Sequence, residues 1–389
     1  MTHPAPARRR IPVLLVTTAV LATAACTSPG THRDDGSITV DVTRGACGGA
    51  WQARAGVQAF AVHNADIVTT DVDLVDPRSG GVYAQIEPLA PATTRPMRVL
   101  LGAGSYAFRC FPDDATMLTG PTTQITGGPA GSPAILPLND IDLLPAVKTY
   151  RAGVTVGLAT LAAKAAALDT TLHHGTLAQA RAAWLDAHLA YSRLGAAYGT
   201  FGDFADAIDG TPAGLPGGVN DPDFTGFHRI EYGLWHGEPL PSLAPRGDKL
   251  VADVAALRAD FPKEQTDPND LPLRAHEIME NALEFELTGT ADEGSGTSLA
   301  TAIANLDGTQ QVLDAIAPLV STRYAGWSRI APAMATARAA LSAARRPDGA
   351  WTPVAALAPG TARRIDAAVS GLLETLAPIA EIGEVRRTS

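Results

Sequence analysis

His228 and Glu231 are the residues of this chain whose types and spacing most directly suggest chemistry. They stand at i and i+3, and on a helix such positions share a face, with Cβ atoms about 5–6 Å apart. One imidazole nitrogen and one carboxylate oxygen can then reach the same cation. The same spacing also serves a plain His–Glu contact on a half-buried helix, so the pair alone leaves both readings open. The chain has three cysteines, Cys26, Cys47 and Cys110. If Cys26 is modified, as argued below, Cys47 and Cys110 remain as one pair. In an oxidising compartment their expected state is a disulfide; the alternative is a thiolate metal site. Hydrolytic chemistry finds less support. The run His276-Glu277-Ile278-Met279-Glu280 has Glu where a zincin needs its second His. There is no nucleophile elbow and no P-loop or dinucleotide fingerprint. A binding protein is expected, not an enzyme.

Composition narrows the partners. The formal net charge is −10, which argues against a nucleic-acid surface and leaves cations as natural ligands. Arg8, Arg9 and Arg10 precede an apolar run from Ile11 to Ala25, followed by Cys26. A cationic start and an apolar stretch too short for a confident span read as an export signal over 1–25. Small residues before Cys26 suggest a lipobox, with Thr23 where Leu is usual. Acylated Cys26 would anchor the chain to the outer face of a membrane, and 26–36 would be a flexible tether. The alternative is an ordinary secretory signal with an incidental cysteine.

The elements that must position His228 fall in two unlike halves. From Ser37 to about residue 130 short alternating runs are broken by Gly, Pro and Asp. Strands are expected near 38–42, 59–64, 70–75, 82–86, 97–101, 106–110 and 122–125, which argues for a β-sandwich. A Gly/Pro/Ser linker follows over 127–136. From 140 to 380 the chain is rich in Ala and Leu with helical periodicity. Helices are expected near 142–169, 176–200, 246–260, 270–288, 297–319, 328–344 and 360–380, with a short one over 226–235. Eight helices suit two packed four-helix bundles. The long connection from Gly210 to Thr225 is of a length that is often functional inside a compact helical domain.

The segment from Asp221 to Trp235, with Gly226-Phe227-His228-Arg229-Ile230-Glu231, resembles the G-x-H-x-x-E signature of the imelysin family, in particular its EfeO-type iron-uptake components. Phe201-Gly202-Asp203-Phe204-Ala205-Asp206-Ala207-Ile208-Asp209 is similar to the family's acidic stretch, and Asp209 precedes His228 by nineteen residues. The resemblance implies a cupredoxin-like β-sandwich followed by a helical imelysin domain. It implies a metal site of His228, Glu231 and Asp209, with Asp203 as a further candidate; His188 is a candidate by its own position, as given below. The implied cargo is iron as Fe3+, with copper or zinc as other cations. The implied partners are a membrane iron permease and a peroxidase of the same uptake system, at the extracytoplasmic face. The alternatives are a divergent paralogue that takes another metal or a metal-bridged ligand, and a lipoprotein scaffold without a metal site.

Departures from the family pattern bear on that site. Gly195 and Gly199 stand where EfeO-type members carry glutamates. As i and i+4 of one helix they are expected to point toward the His228/Glu231 pair, leaving a site short of two carboxylates. His188, seven residues before Gly195, would share that helix face and could partly substitute, or be a satisfied core histidine. Asp203 and Asp206 could be solvated turn residues. In the β-domain, His63, Met97 and Met117 do not make up the two His and one Cys of a blue-copper site.

Overall fold

Alternating side chains build the first half. The computed structural model describes residues 36–384, so the export signal, the lipidation site Cys26 and most of the tether lie outside the described residues. One sheet has the order β2-β1-β3-β6, from strands Ile38–Thr43 (β1), Ala46–Cys47 (β2), Gly56–Asn64 (β3) and Thr94–Leu101 (β6). The other has Val82–Leu89 (β5), Thr70–Val75 (β4), Gly104–Pro112 (β7) and Leu118–Thr119 (β8) in that order, with Thr123–Ile125 (β9) also on β7. Pairing is antiparallel except between β1 and β3. Val40, Val42, Phe60 and Val62 from one sheet meet Val72, Leu74, Phe108 and Cys110 from the other in one apolar core, the period-2 result of burying one face of each strand. Cys47 on β2 and Cys110 on β7 form a disulfide between the two sheets. That bond overturns the thiolate-ligand alternative. Closing a loop across 63 residues stabilises the sandwich by about 2–4 kcal/mol.

The linker is tied down where it meets the helical half. Val82 and Ile135 exchange backbone hydrogen bonds, and the Leu138 amide donates to the Ile382 carbonyl near the end of the chain.

The second half is all helical. Asp140–His174 (α1) starts at Asn139, whose side chain accepts from the Asp142 amide, satisfying one of the donors a helix start leaves open. It buries Tyr150, Val154, Leu158, Leu161, Ala165, Leu168 and Leu172, a stripe at three- and four-residue steps. Leu177–Ser192 (α2) begins with a capping box of Thr176 and Gln179. Two short helices follow, Tyr198–Phe201 (α3) and Asp203–Asp209 (α4). Then come Gly226–Trp235 (α5), Leu240–Asp260 (α6), Asp270–Asn281 (α7), Ser298–Val320 (α8), Ile330–Ser342 (α9) and Pro359–Ile382 (α10). Helices α1, α2, α5 and α6 pack on one another, as do α7 to α10, and α8 joins the groups by packing on α1 and α2. One continuous apolar core runs through both.

Two expected helices end early. The one expected over 176–200 stops at Ser192, and the chain continues as a 3-10 turn over Gly195–Ala197 before α3. The one expected over 270–288 leaves α-helical geometry at Asn281 and makes a single π-helical turn over Ala282–Glu286. Both breaks lie beside the cavity described next.

Candidate metal centre

Close backbone contact brings α4 to α5. Gly226 opens α5 with a φ of 73°, and a Cβ there would lie 2.1 Å from the Ile208 carbonyl oxygen. Only glycine permits this approach. Thr225 donates its hydroxyl to the Ala207 carbonyl across the same junction. The long connection from Gly210 to Thr225 closes on itself through Asp221, which accepts from the Gly217 and Asp223 amides. Asp209, at the end of α4, and His228, in the first turn of α5, are thereby held together although nineteen residues separate them.

His188 arrives from α2 and is buried. Its ring stacks on Trp184 with centroids 4.9 Å apart and meets the edge of His228 at 5.3 Å. Trp184 is itself fixed by donating Nε1–H to the Phe227 carbonyl. His188 Nε2 lies 3.2 Å and His228 Nε2 3.8 Å from Asp209 Oδ1. One donor atom from each of the three residues falls within 4.8 Å of the others. Asp209 Oδ1 and His188 Nδ1 are buried and make no hydrogen bond among the described residues, a costly state for polar atoms inside a protein.

Glu231 stands behind this group. Its Oε2 is 3.0 Å from His228 Nδ1, and its Oε1 accepts the Ser295 amide at 3.1 Å. The side chain is buried, so both oxygens are engaged away from His188 and Asp209. A carboxylate on one imidazole nitrogen fixes which way the other points. Burial disfavours charge on His228, but the negative charge of Asp209 and the hydrogen bond and charge of Glu231 outweigh it and lift its pKa to about 9. Burial likewise opposes ionisation of Glu231, yet its bond to His228 and the contact with Ser295 hold it below its ordinary value.

His188, Asp209 and His228 open onto a cavity of about 570 Å³. The π-helical turn contributes Glu286 to the same lining, and Thr301 and Asn305 come from α8. Burial raises the Glu286 carboxyl to about 7, although the two histidines pull it the other way. Nothing in the spacing of the 270–288 segment singles out Glu286; it becomes visible only when the π-turn faces α2 and α5.

Other expected positions lie elsewhere. Asp203 is exposed at the start of α4, in a groove with Asp260 and Glu264, and does not join His188, Asp209 and His228. Gly195 and Gly199 do not point at the pair on α5. A Cβ on Gly195 would press on Ile278 at 3.1 Å, and one on Gly199 would meet Asp270 and Arg274. The physical reason is the end of α2 at Ser192: past it, a seven-residue step from His188 no longer keeps to one helix face. In the β-domain Met97 is a core residue and His63 contacts Thr94 at the surface. A second group of converging donors, Asp169, His173 and Asp248, lies on the outside of α1 and α6. There the His173 Nε2 is 3.1 Å from Asp248 and 3.6 Å from Asp169, a partly exposed ion-pair arrangement.

The family model for imelysin, labelled peptidase M75, matches residues 146–379. The iron uptake system component EfeO of Yersinia pseudotuberculosis serotype I (strain IP32953) is 26% identical over 266 residues, 68% of this chain and 69% of that protein. The EfeO protein of Escherichia coli O6:H1 (strain CFT073) is 26% identical over 243 residues, 61% of this chain and 62% of its own length. The matched span contains α2, α4 and α5 with all three converging side chains, and the chain belongs to the imelysin family.

Proposed function

We propose that this protein is the extracytoplasmic, metal-binding component of an iron uptake system. In this reading iron is its cargo, received in the cavity above His188, Asp209 and His228 and passed to a membrane permease, with a peroxidase of the same system as a further partner. The observation that carries the reading is the convergence of two imidazoles and one carboxylate on a shared point, with Asp209 Oδ1 buried and without a hydrogen bond. Such a group is costly to leave unsatisfied, and a cation would satisfy it. Relatives named as iron uptake components supply the choice of cargo. The sandwich would be the cupredoxin-like domain, and its disulfide suits an oxidising compartment. Acylated Cys26 would tether the molecule beside the permease.

Glu231 is assigned the role of positioning residue, holding His228 so that Nε2 faces Asp209. Binding fits this site better than peptide hydrolysis: His276 and Glu280, the remnant of a zincin-like pattern, lie on α7 within 3.7 Å of each other and do not line the cavity. The test is calorimetric titration of iron into wild type, His188→Ala and His228→Ala. Saturable one-to-one binding lost in both variants supports the proposal. Binding of the same strength in all three proteins, or in none, would overturn it.

A further inference from the structure

Away from the cavity, the outside of α1 and α6 brings together a second set of side chains with ligand chemistry. His173 stands in the last turn of α1, and Asp169 lies four residues before it, on the same helix face. Asp248 comes from α6. Gly247 brings it within range. A Cβ at that position would lie 2.6 Å from Asp169 Oδ1 and 2.8 Å from Leu172 Cδ1, so the two helices meet this closely only because α6 has no side chain there.

The donor atoms are spaced for an ion. His173 Nε2 is 3.1 Å from Asp248 Oδ1 and 3.6 Å from Asp169 Oδ1. One atom from each residue falls within 4.8 Å of the others. A tetrahedral cation with bonds of about 2.0–2.1 Å sets its donors about 3.3–3.4 Å apart.

An ion pair alone leaves part of this group unexplained. Two carboxylates face one imidazole, and among the described residues neither Asp169 nor Asp248 pairs with a lysine or arginine. Asp169 Oδ1 is buried and has no hydrogen-bond partner among the described residues. Burial and the charge of Asp248 push the Asp169 carboxyl above its ordinary value. A bound dication would offset both negative charges and satisfy that oxygen. We propose that Asp169, His173 and Asp248 form a second metal site, separate from the cavity, which takes a divalent transition cation such as Zn2+ and ties the end of α1 to α6. Imidazole beside carboxylates suits Zn2+ and its first-row neighbours, whereas Ca2+ takes oxygen ligands in larger number. Three protein ligands leave a position for water, and Asp248 is exposed, so the ion exchanges with solvent and is held more weakly than one in the cavity.

The test titrates Zn2+ and Ca2+ into the full chain carrying His228→Ala, which disables the cavity. That protein should keep a saturable Zn2+ site, at least about tenfold tighter for Zn2+ than for Ca2+, and Zn2+ should raise its Tm. Adding His173→Ala or Asp248→Asn should remove both effects. Adding His174→Ala, at the neighbouring exposed histidine, should change neither. Zn2+ binding that survives His173→Ala, or that is lost equally in His174→Ala, would overturn the site. Tighter binding of Ca2+ would overturn the cation class. Wild-type crystals soaked in Zn2+ give an independent reading. A minor anomalous peak should stand among Asp169, His173 and Asp248 whatever the cavity holds, and its absence at saturating Zn2+ would also overturn the proposal. Iron binding in the cavity is tested separately by the His188→Ala and His228→Ala titrations, so failure of either reading leaves the other standing.

Discussion

His228 is the residue on which the site turns, because its two nitrogens have different tasks. Nδ1 is committed to Glu231 at 3.0 Å, which leaves Nε2 for the cavity. Removing the carboxylate charge by Glu231→Gln should therefore weaken metal binding by about 10- to 100-fold. Glu238→Gln, which disturbs the part-buried pair with Arg229 outside the cavity, should change affinity little; equal effects at both sites would contradict the positioning role. The His228 proton provides a second test. Its pKa is about 9 in the folded chain against 6.5 for a free side chain. The stabilisation it gains from Asp209 and Glu231 is thus complete below pH 6.5 and is lost as pH rises through about 9. A bound cation replaces that proton, so its affinity grows over the same window. Thermal unfolding with and without Zn2+ should show the metal-free Tm falling from pH 6.5 to 9 while the metal-induced increase grows. A constant increment would count against a proton–metal exchange at His228. The i, i+3 spacing of His228 and Glu231 was legible in the sequence. Which of the two turns to the cavity was not, because a ligand pair and a ligand with its orienting carboxylate have the same spacing.

At the level of elements, the site depends on how α2, α4 and α5 meet. The α4–α5 junction is a backbone contact that admits no side chain at Gly226. Gly226→Ala should destabilise the fold by roughly 1–3 kcal/mol, the cost of holding a non-glycine residue in a strained conformation. It should also lower metal affinity by moving His228 away from Asp209. Chemical denaturation and titration of the same variant separate the effects, and a variant with native stability and affinity would show that the junction has slack. Periodicity revealed where most helices lie, including α5 to the residue, since its apolar stripe is buried against neighbours. It failed where tertiary packing overrides local pattern. The apolar run after Ser192 reads as more helix, yet Gly195 sits against Ile278 and the chain turns there. His188, within the unbroken α2, could not be separated from a core histidine for a related reason: its partners, Trp184 apart, come from α4 and α5.

As a whole molecule, the chain joins a disulfide-linked sandwich to a helical domain that carries the candidate metal centre, behind an amino-terminal segment that reads as an export signal and lipobox. Cys26→Ser should release the protein from the membrane fraction or block its processing. Unchanged membrane association of a correctly cleaved variant would show that the anchor lies elsewhere. Composition and alternation made the two halves legible, whereas the cavity between α2, α4, α5, the π-turn and α8 exists only in the assembled fold. The most direct test of the account is therefore to locate the ion. Crystals grown with Co2+ or Fe2+ and measured at the metal absorption edge should show one dominant anomalous peak about 2.0–2.2 Å from His188 Nε2, His228 Nε2 and an Asp209 oxygen. A dominant peak at Asp169, His173 and Asp248, or none in the cavity under saturating metal, would contradict it.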